Sequence, residues 1–275
     1  MDGRLQLRVQ RYGWDRASAR YDELWREALA PATQGVLRLA QLQPGQRVLD
    51  VACGSGVLTR AALAGVGPQG EAVGCDVSEG MVSVARASSP GCRFLRTDAQ
   101  ALGDMLPPAH FDVVLCGLGL MYMPDPEACV AAMAACLRPG GRLVVSVWGE
   151  RRACGWSGVF PIVDARVQSE VCPMFFRLGG GDALRTALVG AGLAQVRTER
   201  IATTIGYPDA ATACDAAFEG GPVALAYGRF DEPTRDAVRA EYLESLRPWA
   251  RADGFGLPGE FVFGEGKRTP AAQPQ

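Results

Sequence analysis

The first forty residues carry large apolar side chains at the spacing of an amphipathic helix. Trp14, Tyr21 and Trp25 lie seven and four positions apart, and this spacing predicts helix over residues 11–42. Pro31 falls inside the stretch. Proline in a helix interior lacks an N–H donor and clashes with the preceding turn. We therefore expect two helices that are divided near Pro31.

From residue 47 the pattern changes to short apolar runs that alternate with amphipathic helices. Strands are predicted over residues 47–52, 71–75, 92–95, 111–116 and 142–148, and helices over residues 57–64, 79–87 and 126–137. Such alternation is typical of a doubly wound α/β fold, whose parallel sheet is covered on both faces. Ligands of these folds bind beyond the carboxyl ends of the strands. We therefore expect a site at the exit of the first strand, residues 50–56.

The pattern beyond residue 150 is less regular. A helix is predicted over residues 182–191, with Asp182 as its N-cap, and a strand over residues 196–207. Two helical stretches follow within residues 209–250, separated by Glu219-Gly220-Gly221-Pro222. A last strand is predicted over residues 260–264.

These elements predict one domain over residues 1–268, built on a seven-stranded, mostly parallel sheet. Its expected parts are N-terminal helices (1–43), a ligand-binding core (44–150), a segment with one helix and one strand (151–208), a helical cap (209–258) and the last strand (259–268). The small cap, inserted before the last strand, is expected to cover the site. Residues 269–275 are expected to be a frayed polar tail.

Composition narrows the class of protein. Of the 275 residues, 48% are hydrophobic and 21% charged, enough for a packed core, and the net charge of −2 disfavours a nucleic-acid partner. The nine cysteines are scattered without a C-x-x-C pair, so we expect reduced thiols and no metal. The sequence shows neither an apolar leader nor a run of about 18 apolar residues. We expect a cytoplasmic protein without a membrane span; a monomer and a homodimer remain equally open.

Glycines and an acid follow the first strand. Gly54 and Gly56 allow a tight turn and a close approach of the backbone to a ligand. The helix that begins after Gly56 offers free N–H groups to an anionic group. Asp50 lies at the end of a buried strand, where a carboxylate is costly unless it is paired or faces a polar ligand.

The ends of the next two strands carry further acids. Asp76 follows Asp50 by 26 residues, one βαβ step, and an acid there accepts hydrogen bonds from both hydroxyls of a ribose. The alternative is that Asp76 only caps the helix that begins near Ser78. Asp98 is placed to accept from an adenine amine, with Ala99 and Met81 as apolar walls, although Met81 taken alone is better explained as a core residue.

Together these motifs resemble the class I S-adenosylmethionine-dependent methyltransferases, in residues 48–56, 74–81, 97–99, 111–126 and 137–147. The resemblance is strongest to the ubiquinone/menaquinone-biosynthesis group (methyltransferase type 11), as the opening Trp14, Asp15, Tyr21 and Asp22 support. It implies a Rossmann-like fold, the cofactor S-adenosyl-L-methionine and the product S-adenosyl-L-homocysteine. It implies as cofactor-binding residues Tyr21, Asp50, Gly54, Gly56, Asp76, Met81, Asp98, Ala99, Cys116 and Leu118.

A nicotinamide enzyme is the competing interpretation, since it also uses a glycine turn and an acid after the second strand. Its fingerprint requires a third glycine at the position of Thr59. Asp50 would also repel a pyrophosphate, whereas it suits the ammonium of S-adenosylmethionine. The sequence therefore favours the methyl donor.

The implied reaction is in-line displacement at the sulfonium methyl, with a small molecule accepting the methyl group on S, N, O or C. Relatives often carry histidine at the position of Met121, and the one histidine of this chain, His110, precedes the fourth strand at the wrong end of the sheet. We therefore expect an acceptor that is already nucleophilic, or assistance from Tyr122, Glu150 or Glu170. The catalytic candidates are Tyr21 and Tyr122.

An aromatic-lined substrate pocket is expected, suited to an apolar or cationic acceptor. Its candidate residues are Tyr12, Met121, Trp148, Arg151, Trp156, Phe160, Phe176 and Tyr227. The alternatives are a methyltransferase acting on RNA or protein, and a non-catalytic relative that only binds S-adenosylmethionine.

Overall fold

The strands form one mixed sheet. The computed structural model describes residues 3–168, 172 and 174–269, and within them the sheet has eight strands in the order β3-β2-β1-β4-β5-β8-β6, with β7 paired to β8. The strands are β1 Arg47–Val51, β2 Glu71–Asp76, β3 Arg93–Arg96, β4 Phe111–Gly117, β5 Leu137–Trp148, β6 Leu193–Tyr207, β7 Ala250–Arg251 and β8 Gly254–Arg268. Strands β1 to β5 are parallel, and β8 runs antiparallel to both β5 and β6.

Helices pack against this sheet and beyond its end. They are α1 Gly3–Ala17, α2 Tyr21–Ala40, α3 Val57–Val66, α4 Glu79–Ser88, α5 Leu102–Met105, α6 Pro126–Cys136, α7 Val159–Asp164, α8 Ala183–Gly190, α9 Ala210–Glu219, α10 Ala224–Tyr227 and α11 Glu232–Leu246. The predicted α/β fold is confirmed. The sheet has one strand more than predicted, because β7 adds a two-residue ladder to β8.

The N-terminal helices divide at a different place from the one predicted. The break lies at residues 18–20, between α1 and α2, and Pro31 lies inside α2. Pro31 is exposed, while Trp25, Ala32 and Val36 on either side of it are buried in the core. Burial of this face outweighs the loss of one backbone hydrogen bond.

The last strand is much longer than the predicted residues 260–264. Strand β8 pairs with β5 on one side and with β6 on the other. Its glycines, which disfavour strand by local propensity, leave room for neighbours: a Cβ on Gly264 would lie 2.6 Å from Cδ1 of Leu188 in α8. The glycines of β8 thus allow α8 to pack closely on the sheet, although their low strand propensity shortened the strand predicted from the sequence.

The cap contains three helices, α9 to α11, where two were predicted. It is joined to the α1–α2 junction by Arg20, whose guanidinium donates to Asp215 at 3.2 Å and also to Glu219. Asp182 does occupy the N-cap of α8, but its side chain makes no capping hydrogen bond. Among the described residues, none of the helices has both the length and the hydropathy to cross a bilayer. Residues 270–275 of the predicted tail lie outside the described residues.

Candidate functional site

A cavity lies at the carboxyl ends of β1, β2, β3 and β4, where the strand order predicts a ligand. This first cavity has an empty volume of about 750 Å³, which includes space open to solvent. Segments that follow the four strands form its floor, and α1 and α2 contribute Gln10, Trp14 and Tyr21 to its roof.

The two glycines after β1 have different roles. Gly54 (φ +54°) lines the first cavity, and a Cβ there would meet nothing within 4 Å. Gly56 (φ +82°) is not in the cavity wall: a Cβ there would lie 2.9 Å from the Phe94 ring and 3.1 Å from Ala85. Gly54 therefore leaves space for a ligand, whereas Gly56 allows α3 to start against packed side chains.

Asp76 is a preorganised hydrogen-bond acceptor in the wall of this cavity. Its side chain is almost fully buried, with Oδ2 accepting from the Gly54 N–H and Oδ1 from the Ser78 N–H, both at 2.9 Å. Burial raises the pKa of Asp76 above its ordinary value, while these N–H groups oppose the shift. The N-cap of α4 is Ser78, whose hydroxyl accepts from the Met81 N–H at 3.1 Å. Asp76 is thus not the N-cap of α4.

Asp50 lies behind the cavity wall rather than in it. It is 1% exposed; Oδ2 accepts from the Thr59 hydroxyl at 2.6 Å, and Oδ1 has no partner among the described residues. Burial, opposed by the Thr59 hydroxyl, raises the pKa of Asp50 to about 7. Thr59 occupies the position where the dinucleotide motif has its third glycine. Sequence reasoning missed this partner, whose spacing of nine residues crosses a strand–helix turn.

The predicted adenine side of the site lies in the same cavity. Met81, Asp98 and Ala99 all line it. Asp98 also accepts from the Gln100 N–H at 3.0 Å, as the N-cap of a short 3-10 turn. One carboxylate oxygen of Asp98 is thus engaged by the backbone of its own loop.

Of the predicted cofactor-binding residues Cys116 and Leu118, only Leu118 lies in the cavity wall. Leu118, at φ +55°, lines the cavity. Cys116 is fully buried in the core behind it, and burial raises the pKa of its thiol to about 12. A Cβ on Gly119 would come 3.2 Å from this sulfur. Cys116 therefore supports the loop from behind and does not line the cavity.

Two acids of the N-terminal helices, Asp15 and Asp22, hold the roof of the first cavity in place. Asp15 accepts from the Ser78 hydroxyl at 2.6 Å and from the Gly80 N–H at 3.0 Å. Asp22 accepts from the hydroxyl of Ser55, in the glycine turn. These bonds fasten α1 to the loop after β2 and α2 to the loop after β1.

A second cavity, with an empty volume of about 550 Å³, lies between α2, α7 and the cap. Of the predicted pocket residues, Trp148, Trp156 and Phe160 line it. It is also lined by residues that sequence reasoning did not single out as pocket residues, namely Trp25, Leu29, Val159, Ala216, Ala217, Gly220, Gly221, Pro222, Val223 and Tyr242. In the sequence, the glycine pair at 220–221 indicated only a break between two helical stretches, although both glycines line this cavity.

Five predicted pocket residues line neither cavity. Tyr12 is 46% exposed beneath the Arg11 guanidinium, and Met121 is buried in the core. Arg151 lies over the ring of Phe176, which packs behind Trp156. Tyr227 stacks on Phe218 with 5.0 Å between ring centroids. Aromatic residues are commonly core residues, and one-dimensional sequence order does not show which ones face a cavity.

The two cavities meet at an aromatic junction. Trp14, Tyr21, Leu118 and Tyr122 line both. The Trp14 ring lies edge-on to Tyr21 at 5.6 Å and to Tyr122 at 4.9 Å between centroids. Burial raises the pKa of both tyrosines above the ordinary value, so both hydroxyls stay protonated at neutral pH.

Neither His110 nor Glu150 lines either cavity. His110 precedes β4 at its amino end, with Nδ1 3.1 Å from the Arg47 guanidinium. Glu150 pairs with Arg152 at 2.7 Å and lines neither cavity, and Glu170 lies outside the described residues. Within the described residues there is no cluster of three or more His, Cys, Asp or Glu that could hold a metal ion.

Similarity to known proteins decides the family. A model described as a methyltransferase domain matches residues 48–141. The chain is 30% identical over 281 residues to nocamycin O-methyltransferase from Saccharothrix syringae, covering 94% of this chain and 98% of that protein. This chain belongs to the class I S-adenosylmethionine-dependent methyltransferases. The methyltransferase also matches the ubiquinone/menaquinone C-methyltransferase UbiE of Ectopseudomonas mendocina, at 38% identity over 40% of this chain and 44% of that protein.

The fold agrees with this family. The solved structure of the YcgJ protein from Bacillus subtilis superposes with a TM-score of 0.60 at 16% identity, covering 88% of this chain and 100% of that one. The predicted family, the enzyme class and S-adenosylmethionine as cofactor are confirmed. The first cavity fits this cofactor, because the cradle over Gly54 is open and the acids Asp76 and Asp98 lie in its wall.

Replacement of Gly54 by alanine should weaken S-adenosylmethionine binding by about tenfold or more. The added methyl group fills space in the cavity, whereas the strain of a side chain in the left-handed region, roughly 1–2 kcal/mol, lowers the folding stability of the variant and of its control alike. Gly181→Ala is the control, since Gly181 has a similar φ of +46° and equally open surroundings but does not line this cavity. Calorimetry should find affinity reduced only in the first variant; equal affinities in both would contradict this role.

Asp50→Asn should change how stability depends on pH. Because the folded-state pKa of about 7 lies above the ordinary 3.8, the contribution of Asp50 is fully present below about pH 4 and is lost as pH rises through 7. Asparagine does not titrate. The ligand-free wild type should therefore lose stability relative to the variant between pH 5 and 8, by ~2 kcal/mol. Denaturant unfolding at several pH values measures the difference, and a constant difference would refute the assignment.

Proposed function

We propose that this methyltransferase transfers the methyl group of S-adenosylmethionine, by in-line displacement, to a small-molecule acceptor in the second cavity. The observation that carries the proposal is the shared wall of the two cavities, formed by Trp14, Tyr21, Leu118 and Tyr122. A cofactor in the first cavity and an acceptor in the second would face each other across this junction.

The first cavity is proposed to hold the cofactor through residues of the chain's own loops. Asp76 would accept hydrogen bonds from the ribose hydroxyls, and Asp98 from the adenine amine, with Met81 and Ala99 against the ring. Gly54 and Tyr21 would enclose the methionine part. Asp50, one layer below, would supply negative charge beneath the cationic end of the ligand.

The bound cofactor supplies an electrophilic methyl group on a positively charged sulfur. The protein's part is to orient and to exclude water. Trp14, Tyr21 and Tyr122 restrict the position of an acceptor at the junction, and orientation of this kind can lower a barrier by roughly 7–11 kcal/mol. Because both tyrosines stay protonated, they are proposed to position the acceptor rather than to remove its proton.

The second cavity supports a small molecule rather than a macromolecule as acceptor. It is a concave site lined by side chains of α2, α7 and the cap. No described residue in its wall is charged, and the chain carries a net charge of −2, whereas RNA binding relies on positive charge. The names of the two sequence relatives, one of nocamycin O-methylation and one of quinone C-methylation, support small organic acceptors and leave the methylated atom open.

Substitution of Gly221 tests the place of the acceptor. Gly221 lines the second cavity, and a Cβ there would meet nothing within 4 Å. Gly221→Leu should fill part of the cavity, raising the acceptor KM about tenfold or more while leaving S-adenosylhomocysteine affinity unchanged. Labelled methyl transfer to a panel of phenols, enols and amines, with bulk tRNA and protein alongside, supplies the readout.

The matched control is Gly103→Leu, since Gly103 is exposed on α5 with equally open surroundings and lines neither cavity. It should leave transfer unchanged. Label found in tRNA or protein and not in the panel, or full transfer by Gly221→Leu, would contradict the proposed function.

A further inference from the structure

An ion-pair cluster connects the break between α1 and α2 to the cap. Both terminal nitrogens of the Arg20 guanidinium donate to Oδ2 of Asp215 at 3.2 Å, and one of them also donates to Glu219. Asp215 accepts through Oδ1 from both terminal nitrogens of Arg239 in α11, at 3.0 Å. The side chains of Arg20, Asp215 and Arg239 are only 24–36% exposed, so solvent screens these charges less than it screens an isolated surface pair.

The residues beside this cluster line the two cavities. Tyr21, which follows Arg20 in the chain, lines both. The part of α9 between Asp215 and Glu219, with the glycine after it, contributes Ala216, Ala217 and Gly220 to the wall of the second cavity. The ion pairs of Arg20 therefore join the shared wall of the two cavities to the cap side of the second cavity.

Close packing accompanies these ion pairs. The indole N–H of Trp25 in α2 donates to the Ala216 carbonyl at 3.2 Å, and a Cβ on Gly220 would lie 2.6 Å from Nε1 of Trp25. In α1, a Cβ on Gly13 would lie 2.6 Å from the Pro222 carbonyl oxygen. Because contacts this close leave no gap between the helices and the cap, a shift of α1 or α2 also shifts α9 and the segment after it.

The same two N-terminal helices form the roof of the first cavity. Trp14 and Tyr21 line it, and Asp22 of α2 accepts a hydrogen bond from the Ser55 hydroxyl in the glycine turn. A cofactor in the first cavity therefore contacts the roof and the loops together. A ligand that binds one arrangement more tightly shifts the population towards that arrangement, so cofactor binding stabilises α1 and α2 in the position that the structure shows.

Arg20 contributes to this connection without being needed for the helices themselves. As the N-cap residue of α2 it makes no side-chain capping hydrogen bond. Without Arg20, Asp215 keeps its two hydrogen bonds from Arg239, and Trp25 keeps its bond to the Ala216 carbonyl. A neutral substitution of Arg20 should therefore leave the helices folded and weaken only the electrostatic link between α2 and α9.

We propose that Arg20 is a positioning residue that transmits cofactor binding from the first cavity to the wall of the second. Binding of the cofactor stabilises the α1–α2 junction, and Arg20 passes this stabilisation to α9 through Asp215 and Glu219. The second cavity is then fully formed only in the cofactor-bound enzyme, so the acceptor binds after the cofactor. Because such coupling is reciprocal, an acceptor in the second cavity also tightens cofactor binding. The inference rests on the proposed function only where it identifies the second cavity as the acceptor site.

Hydrogen exchange of the α9 backbone amides tests the coupling without any acceptor. It is measured by mass spectrometry with and without saturating S-adenosylhomocysteine. In the wild type the ligand should slow exchange in α9, Ala210–Glu219, by about fivefold or more, the lower end of typical coupling between two sites. Slower exchange in α1, α2 and the loops of the first cavity with no change in α9 would overturn the proposal without any variant.

Arg20→Gln should remove at least half of this ligand-dependent slowing on a logarithmic scale, and Glu219→Gln should act in the same direction from the other side of the ion pair. Arg20→Lys keeps the charge and should retain part of the effect. The matched control is Arg247→Gln, which should behave as the wild type, because Arg247 also pairs with a glutamate, Glu244 at 2.8 Å, but lines neither cavity. A purely structural role of Arg20 would speed exchange in α9 equally with and without the ligand, and such an unchanged ratio in Arg20→Gln refutes the assignment.

Gly221→Leu separates this inference from the function on which it rests. If Gly221→Leu raises the acceptor KM while the ligand leaves exchange in α9 of the wild type unchanged, the coupling fails and the proposed acceptor site stands. If the ligand slows exchange in α9 but methyl transfer does not respond to Gly221→Leu, the coupling stands and the proposed acceptor site fails.

Discussion

The site depends on burying two carboxylates at the ends of neighbouring parallel strands. Asp50 and Asp76 lose their solvation where β1 and β2 end, and such groups need partners. Asp76 finds them in the N–H groups of Gly54 and Ser78, so that one carboxylate fixes the loops after both strands. Asp50 accepts from the Thr59 hydroxyl through Oδ2, while its Oδ1 has no partner in the described part of the chain. Burial raises the pKa of both acids, and in their ionised form they attract a cation and repel an anion such as a pyrophosphate.

Coverage of the cavities depends on the N-terminal helices as much as on the sheet. Asp15 and Asp22 fasten α1 and α2 to the loops that surround the first cavity, while Arg20, at the junction of these helices, pairs with Asp215 and Glu219 of α9. Asp15, Arg20 and Asp22 thus connect the loops around the first cavity to the cap helix α9, which lines the second cavity. Through its ion pairs, Arg20 joins the helices above the first cavity to the cap helix beside the second cavity.

Local sequence predicted the features that depend on short-range rules. The strand–turn–helix at Gly54 and the acid at Asp76 follow from the geometry of one βαβ step, and the structure places both in one cavity. Features set by distant contacts were missed. Pro31 does not break α2, because the residues that flank it are buried in the core. The glycine-rich β8 is long because it pairs with a strand on each side. The part of the second cavity wall at Trp156 and Tyr242 forms only when α11 packs over the 3-10 turn near residue 156.

The most direct test is calorimetric titration of S-adenosylmethionine into the wild type and Asp76→Asn. The amide keeps the shape of the side chain but lacks the charge and one acceptor oxygen, so the N–H groups of Gly54 and Ser78 cannot both be satisfied. The account predicts clear binding heat for the wild type and at least about tenfold weaker affinity for the variant, with folding confirmed by circular dichroism. Equal affinity for the two proteins, or no heat from the wild type, would contradict it.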